Sequence, residues 1–148
     1  MVKVTSVSPV QKFELLVAGW TGVTVHPHRF GAREFRLRGV ELGHLHPTGE
    51  LDLPMSRALR NELIAQGMAE PHRWVPDSGW MTFRLGGDAD LKRAVWLLRL
   101  AYLRQALKWA PDPAELFERE RVRLGLTTEL VALLEPPGLV AASAASGG

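Results

Sequence analysis

The first half of the chain changes from helical to alternating periodicity. In residues 8–22, apolar positions recur at the spacing of one helix face, and Ser8, Pro9 and Gln11 form a capping signature. From Val23 to Leu53 apolar and polar residues alternate instead, which is typical of strands in a half-buried sheet.

The alternating region predicts an edge strand and a hairpin. Pro27 interrupts the stretch "VTVHPHRF", so this strand is expected at a sheet edge or a bulge. A turn at Arg38 and Gly39 would start the next hairpin. Its inward face would hold Phe35, Leu37, Val40 and Leu42, with Glu34, Arg36 and Arg38 pointing outward.

A second hairpin is predicted in "HRWVPDSGWMTFRL", with its turn at residues 76–79. Strict alternation would place two side-chain sets on opposite faces. The predicted core face holds His72, Trp74, Met81, Phe83 and Leu85, and the outer face holds Arg73, Val75, Trp80, Thr82 and Arg84.

Helical patterns fill the remainder of the chain. "SRALRNELIAQG" predicts one amphipathic helix, and residues 88–109 predict a long helix capped by Asp88. The long helix is apolar on two sides, and a doubly apolar helix is usually covered twice. We expect the C-terminal helices to cover the second stripe, with a homodimer through residues 88–109 as the alternative. This second stripe consists of Trp96, Leu100, Leu103 and Leu107.

The order of elements predicts the α+β class, with an antiparallel sheet of about five strands packed on helices, including C-terminal helices. Residues 1–135 are expected to form a single domain. Residues 136–148 are too poor in large apolar side chains to bury a core, so we expect a disordered tail.

Composition narrows the function classes. The net charge is only +2, so nucleic acid is a disfavoured partner. The absence of cysteine excludes disulfides, thiolate nucleophiles and cysteine metal sites. No apolar run approaches about 18 residues, and the N-terminus lacks the hydrophobic region of a signal peptide. We therefore expect a cytoplasmic protein without a membrane span.

Two His-x-His pairs are the main candidates for chemistry. In a strand, His26 and His28, or His44 and His46, would offer two imidazoles on one side to a metal ion. The alternation, however, places His44 and His46 on the inward face, so we favour a structural role and predict no metal and no cofactor. Asp52 should point away from the core, where it could orient a histidine or cap the helix that starts near residue 55.

A basic outer face is the second candidate. Arg36 and Arg38 in one hairpin, and Trp80 in the other, could hold an anionic ligand. Glu34 and Glu41 dilute this patch, and Glu41 could pair with Arg36 across the hairpin. We favour a solvated surface over an anion site.

Without a nucleophile elbow, a phosphate loop or a dinucleotide fingerprint, the sequence favours a non-enzymatic ligand- or protein-binding module. One alternative is a small enzyme or metal-binding protein that uses His44, His46 and Asp52. The other is nucleic-acid binding through the arginine-rich hairpin.

The motifs "RFGAREF", "ELGHLH", "DLP", "AEPH" and "DSGW" resemble the luciferase domain family of bacteria and fungi, over about residues 28–104. The family name does not imply light emission here, because the chain is far too short for the barrel of flavin-dependent bacterial luciferases. A fainter similarity to YjbR-like double-wing proteins implies a comparable sheet-and-helix fold.

Overall fold

A computed structural model describes residues 6–135 of the chain. The predicted tail, residues 136–148, lies outside this range. The helices are α1 (Pro9–Ala18), α2 (Arg57–Ala65), α3 (Leu91–Ala106), α4 (Pro113–Leu124) and α5 (Thr128–Leu134). The strands are β1 (Val23–Pro27), β2 (Arg33–Leu37), β3 (Val40–Leu45), β4 (Glu50–Pro54), β5 (Glu70–Pro71) and β6 (Trp80–Arg84).

The strands form one open antiparallel sheet in the order β1-β2-β3-β4-β6-β5. The α+β class is confirmed, with six strands in the described residues where about five were expected. β1 lies at one edge of the sheet. Pro27 has no backbone N–H to donate, but at an edge strand no neighbouring strand on the outer side requires one. Among helices of the described residues, none is both long and apolar enough to cross a membrane.

A β-bulge in the β2–β3 hairpin decides which face each side chain takes. The turn is as predicted: Arg38 and Gly39 both have positive φ, and Leu37 pairs with Val40. Phe35, however, pairs with Gly43 rather than with Leu42, so Leu42 is an extra residue in β3. The extra residue reverses the alternation beyond it.

The predicted inward orientation of His44 and His46 is therefore wrong. His44 pairs with Glu34, which alternates with the buried Phe35, and thus lies on the outer face. Leu45 takes the inward position instead and is buried.

The core lies between the inward face of the sheet and the helices. A single cluster of buried apolar residues extends from Phe13 in α1 to Leu134 in α5. The Ser8 capping box predicted for α1 is present, and it starts the helix that brings Phe13 edge-on against Phe35, with 5.4 Å between ring centroids. One face of the sheet thus packs against the helices, and the opposite face carries polar side chains.

The second predicted hairpin is only partly correct. Met81 in β6 and Leu85 just after it are in the core as expected, but β5 stops at Pro71, and neither His72 nor Trp74 enters the core. Hydrogen bonds from Arg60 and Met55 hold residues 72–79 in place instead. The side chain of Arg60 in α2 donates to the carbonyls of Pro76 and Trp80, and Gly79 accepts a backbone hydrogen bond from Met55.

The second apolar stripe of α3 is buried within the chain. Leu100 and Leu103 are fully buried, and Trp96 donates its indole N–H to the carbonyl of Leu124 in α4 at 2.9 Å. A homodimer through residues 88–109 stays a prediction. The predicted cap at Asp88 is wrong, because a 3₁₀ turn, Asp88–Asp90, precedes α3 and Asp90 accepts from the backbone of Gly86 and Gly87.

Candidate functional site

The outer face of the sheet carries one continuous row of polar residues. The register pairs His26 with Glu34, Glu34 with His44, His44 with Asp52, and Asp52 with Thr82. Directly paired residues on neighbouring strands have side chains on the same face, about 5 Å apart. The row therefore assembles histidines and carboxylates from four strands and a threonine from a fifth, a grouping that depends on the reversal at Leu42.

Asp52 is the centre of this row. Its Oδ2 lies 3.1 Å from His44 Nε2, 3.0 Å from His46 Nε2 and 3.6 Å from His72 Nε2. Its Oδ1 accepts a hydrogen bond of 2.6 Å from Thr82 Oγ1. Asp52 is buried although it points away from the core, because the imidazole rings cover it. It does not cap α2, where the hydroxyl of Ser56 caps the helix instead.

His44 lies between two carboxylates. Its Nδ1 is 2.6 Å from Glu41 Oε1, and its Nε2 faces Asp52. Burial disfavours the charged imidazole, but the hydrogen bonds to Asp52 and Glu41 outweigh burial and raise the pKa of His44 to about 9. The predicted pairing of Glu41 with Arg36 is wrong, since Glu41 binds His44 and Arg36 binds Glu34.

The carboxyl of Asp52 is strongly stabilised as an anion. Burial alone would raise its pKa, but hydrogen bonds from His44, Thr82 and His46 together hold the pKa well below the usual range. The lowered pKa favours the ionised carboxylate near neutral pH. A buried carboxylate surrounded by imidazole nitrogens is suited to a cation.

A second histidine–carboxylate group adjoins the first. His28 Nδ1 lies 2.9 Å from Glu34 Oε1, and the other oxygen of Glu34 accepts from Arg36. Burial opposes ionisation of Glu34, but the contacts with Arg36 and His28 lower its pKa. The ring of His28 stacks on that of His44 with 4.0 Å between centroids. The two groups thus form one contiguous cluster.

The structure brings most of the predicted site residues together and places two of them elsewhere. It brings together His28, His44, His46 and Asp52, with Trp80 against the rings of His44 and His72. Arg36 joins through Glu34. Two candidates lie apart from this cluster. The ring of His26 contacts Thr24 Oγ1 at 2.8 Å, and Arg38 stacks over Trp109 with 4.7 Å to the ring centroid.

Three arginines of β2 and β6 have acidic partners, which weakens the predicted basic patch. Arg33 pairs with Glu14 at 2.8 Å, and Arg36 pairs with Glu34. Arg84 lies 3.6 Å from Glu50 and 3.7 Å from Glu70. Acidic partners at this density leave little field to attract a polyanion such as a nucleic acid.

Sequence reasoning missed His72, Thr82 and Glu41 as members of the cluster. His72 was assigned to the core because strict alternation was extended from β6 into residues 72–75, where there is no strand. Pro71 was the available signal, since proline has no N–H for a ladder hydrogen bond and β5 ends there. Thr82 and Glu41 were placed on the outer face, but only the register shows that they contact Asp52 and His44.

A pocket of about 260 Å³ opens beside the cluster. The wall of the pocket includes Asp52 and two of the histidines around its Oδ2 atom, His46 and His72. The remaining wall includes Phe30, Trp74, Arg73, Arg84, Glu50 and Glu70. Asp52 and two of its histidines are thus accessible to a small molecule from one side, while His44 is not part of that wall.

The family comparison agrees with the motif resemblance over a narrower span. A model of the family described as Luciferase domain matches residues 39–101, somewhat less than the stretch that the motifs indicated. No curated protein matches the chain. The matched region includes His44, His46, Asp52 and His72, whereas His28 and Glu34 precede it. Residues 39–101 therefore match the Luciferase domain family, and the resemblance predicted from the motifs is confirmed.

Proposed function

We propose that the chain binds a divalent transition-metal ion through His44, His46, His72 and Asp52. The observation that carries this proposal is the convergence of three imidazole Nε2 atoms on one carboxylate oxygen, at 3.0 to 3.6 Å. His44 and His46 already take up the two lone-pair sites of that oxygen, whereas His72, at 3.6 Å, lies beyond close hydrogen-bond distance. Hydrogen bonding to Asp52 Oδ2 therefore does not account for the position of the third imidazole, and a shared ion would.

The spacing of the ligand atoms of His44, His46 and Asp52 fits a coordination shell. Zinc-like ions hold imidazole nitrogen and carboxylate oxygen at about 2.0–2.2 Å, so two ligand atoms of a tetrahedral shell are about 3.3 Å apart. The distances from Asp52 Oδ2 to the three nitrogens lie on both sides of that value. His44, His46 and Asp52 have ligand atoms within 4.8 Å of one another, whereas His72 lies outside this group and would have to move closer to complete the shell.

The residues that hydrogen-bond to these ligands are of the kinds that orient metal ligands in known metalloproteins. Glu41 at the Nδ1 of His44 would orient the ring, and Thr82 at Oδ1 of Asp52 would orient the carboxylate. A metal ion would have to displace the proton that Asp52 and Glu41 stabilise on His44, so binding would release a proton at neutral pH. This proposal replaces the expectation from the sequence that the chain holds no metal.

The mixed imidazole and carboxylate set favours Zn²⁺, Fe²⁺, Co²⁺ or Ni²⁺ over Mg²⁺ or Ca²⁺, which prefer oxygen ligands. Because the pocket reaches three of the four residues, a molecule in the pocket could approach the ion. A metal site with an open position acts as a Lewis acid in many enzymes. This supports the metal-binding alternative over a module that binds only through its surface.

Titration of the purified, chelator-treated chain with Co²⁺, followed by visible absorption, tests the proposal. We expect saturation at about one Co²⁺ per chain, with Zn²⁺ competing for the same site. His46→Gln and His72→Gln should each weaken Co²⁺ binding by at least tenfold, and Glu41→Gln by about 10- to 100-fold.

His26→Gln is the matched control, because His26 lies in the same polar row but its ring contacts Thr24 rather than Asp52. This variant should bind Co²⁺ like the unmodified chain. The proposal fails if the unmodified chain shows no stoichiometric binding, or if His26→Gln loses as much affinity as His46→Gln. Melting curves of the variants confirm that a lost site is not a lost fold.

A further inference from the structure

The pocket beside Asp52 is the feature that indicates what would approach the ion. We propose, on the basis of the metal site above, that this pocket binds a small aromatic carboxylate whose carboxylate group reaches the ion and whose ring contacts Phe30 and Trp74. Three observations support this: the aromatic wall, the charge balance and the size of the pocket.

The aromatic wall is unusually exposed. Phe30 is 88% exposed and Trp74 is 74% exposed, yet both line the pocket that Asp52 and His72 also line. A bulky residue rarely adopts positive φ, but Phe30 has φ 58° within the 3₁₀ turn Arg29–Gly31. Strained residues of this kind often occur at ligand-binding positions. The two side chains offer flat apolar surface that a planar ring can cover.

The charge balance favours an anion only when the ion is present. The wall contains the carboxylates of Glu50, Asp52 and Glu70 and the guanidinium groups of Arg73 and Arg84. Without a metal these formal charges leave one net negative charge. A divalent ion changes the balance to one net positive charge, which a single carboxylate neutralises. The ligand should therefore be a monoanion whose binding depends on the metal.

Arg84 is placed to assist that anion. Its distances to Glu50 and Glu70, 3.6 and 3.7 Å, are too long for close hydrogen bonds, and the side chain is largely exposed. A guanidinium held only by such long, exposed ion pairs can turn to an incoming carboxylate and form a charge-assisted bond.

The size of the pocket restricts the ligand to about one ring. At about 260 Å³ it is smaller than the roughly 300–1,000 Å³ typical of pockets for drug-sized molecules. A benzoate-like compound suits that volume, whereas a nucleotide or a peptide would extend into solvent.

Benzoate added to the Co²⁺-loaded chain is the probe, and the visible spectrum of the bound Co²⁺ is the readout. We expect a saturable spectral change, because a carboxylate that joins the coordination shell alters the geometry around the ion. Benzyl alcohol, which has the ring without the charge, should cause no such change. Cyclohexanecarboxylate, which has the charge without the flat ring, should bind more weakly than benzoate.

Substitutions in the pocket wall test benzoate binding separately from Co²⁺ binding. Trp74→Ala and Phe30→Ala should keep Co²⁺ affinity and weaken benzoate by about three- to tenfold each, the range expected for losing one aromatic contact. Trp109→Ala is the control, since Trp109 is another exposed tryptophan that lies against Arg38, away from this pocket. It should leave benzoate binding unchanged.

The outcomes distinguish the two proposals. Normal Co²⁺ binding without any spectral response to benzoate would overturn the ligand proposal and leave the metal site standing. Equal benzoate affinity in Trp74→Ala, Phe30→Ala and the unmodified chain would also overturn it, because the aromatic wall would then have no role. Failure to bind Co²⁺ would overturn the metal site, and with it the ligand proposal that depends on it.

Discussion

The buried ion pair between α3 and α4 permits the most quantitative prediction. Glu120 Oε1 accepts from both Nε and an Nη of Arg99, and the side chains are only 2% and 14% exposed. The guanidinium also lies over the rings of Trp20 and Tyr102, at 4.9 and 4.4 Å from their centroids. Replacing Glu120 with leucine would leave the Arg99 charge buried without its carboxylate.

The expected cost follows from that geometry. Breaking a buried pair by removing one partner destabilises proteins by about 3–5 kcal/mol. The ring contacts of Arg99 persist in the variant and water reaches one side of the guanidinium, so we expect a value near the lower end, about 3 kcal/mol. In a chain of this length, that corresponds to a melting temperature lower by about 6–12 °C.

Urea titration and thermal melting of Glu120→Leu measure this loss. The double variant Arg99→Met, Glu120→Leu should recover most of it, because an apolar pair avoids burying either charge and Glu120 Oε2 accepts no hydrogen bond within the described part of the chain. The control is Glu118→Leu, which removes the carboxylate of an exposed pair with Arg121 and should leave the melting temperature nearly unchanged. A single-variant loss below about 1 kcal/mol, or a double variant as unstable as the single one, would refute the reasoning.

Three further predictions concern burial, protonation and backbone approach. Leu103→Glu should lose more than about 3 kcal/mol in urea titrations at any protein concentration, because Leu103 is fully buried within the chain; concentration-dependent loss would instead indicate a dimer interface. In the metal-free protein, stability should decline as pH rises from 6.5 towards about 9, since the raised pKa of His44 stabilises the fold below this interval. His44→Gln should flatten that decline in urea titrations at several pH values. Gly79→Ala should cost about 1–3 kcal/mol by thermal melting, because a Cβ there would lie 1.9 Å from the carbonyl oxygen of Met55; an unchanged melting temperature would contradict this.

The features that could be predicted from the sequence are local ones. Helix starts at Ser8 and Asp112 follow from side chains that cap the adjacent backbone, and the structure has both. The turn at Arg38 and Gly39 was predictable from Gly39, since glycine accepts the positive φ that a tight hairpin turn needs. Periodicity of the long helix likewise predicted that its second stripe would be covered.

The site could not be predicted to the same degree because it depends on register. Alternation extrapolated across Leu42 placed His44 and His46 on the wrong face, and alternation extended from β6 across the predicted turn at residues 76–79 placed His72 in the core. Neither error reflects a wrong assessment of residue chemistry. Strand pairing is a long-range property, and a single unpaired residue alters it without a distinctive signal in the local sequence.

The bulge at Leu42 has a consequence for how this chain could diverge. Residues on the two sides of the bulge follow opposite phases of the strand, so a point substitution at residue 42 would alter packing alone. Pairing Leu42 with Phe35 in place of Gly43 would instead exchange the environments of every position from Gly43 to His46, turning the imidazoles inward and Leu45 outward. The glycine favours the observed register, since a Cβ at residue 43 would lie 2.9 Å from the carbonyl oxygen of Asp52. Relatives that keep the histidine site should therefore vary in side chain at position 42 while keeping the glycine opposite Phe35.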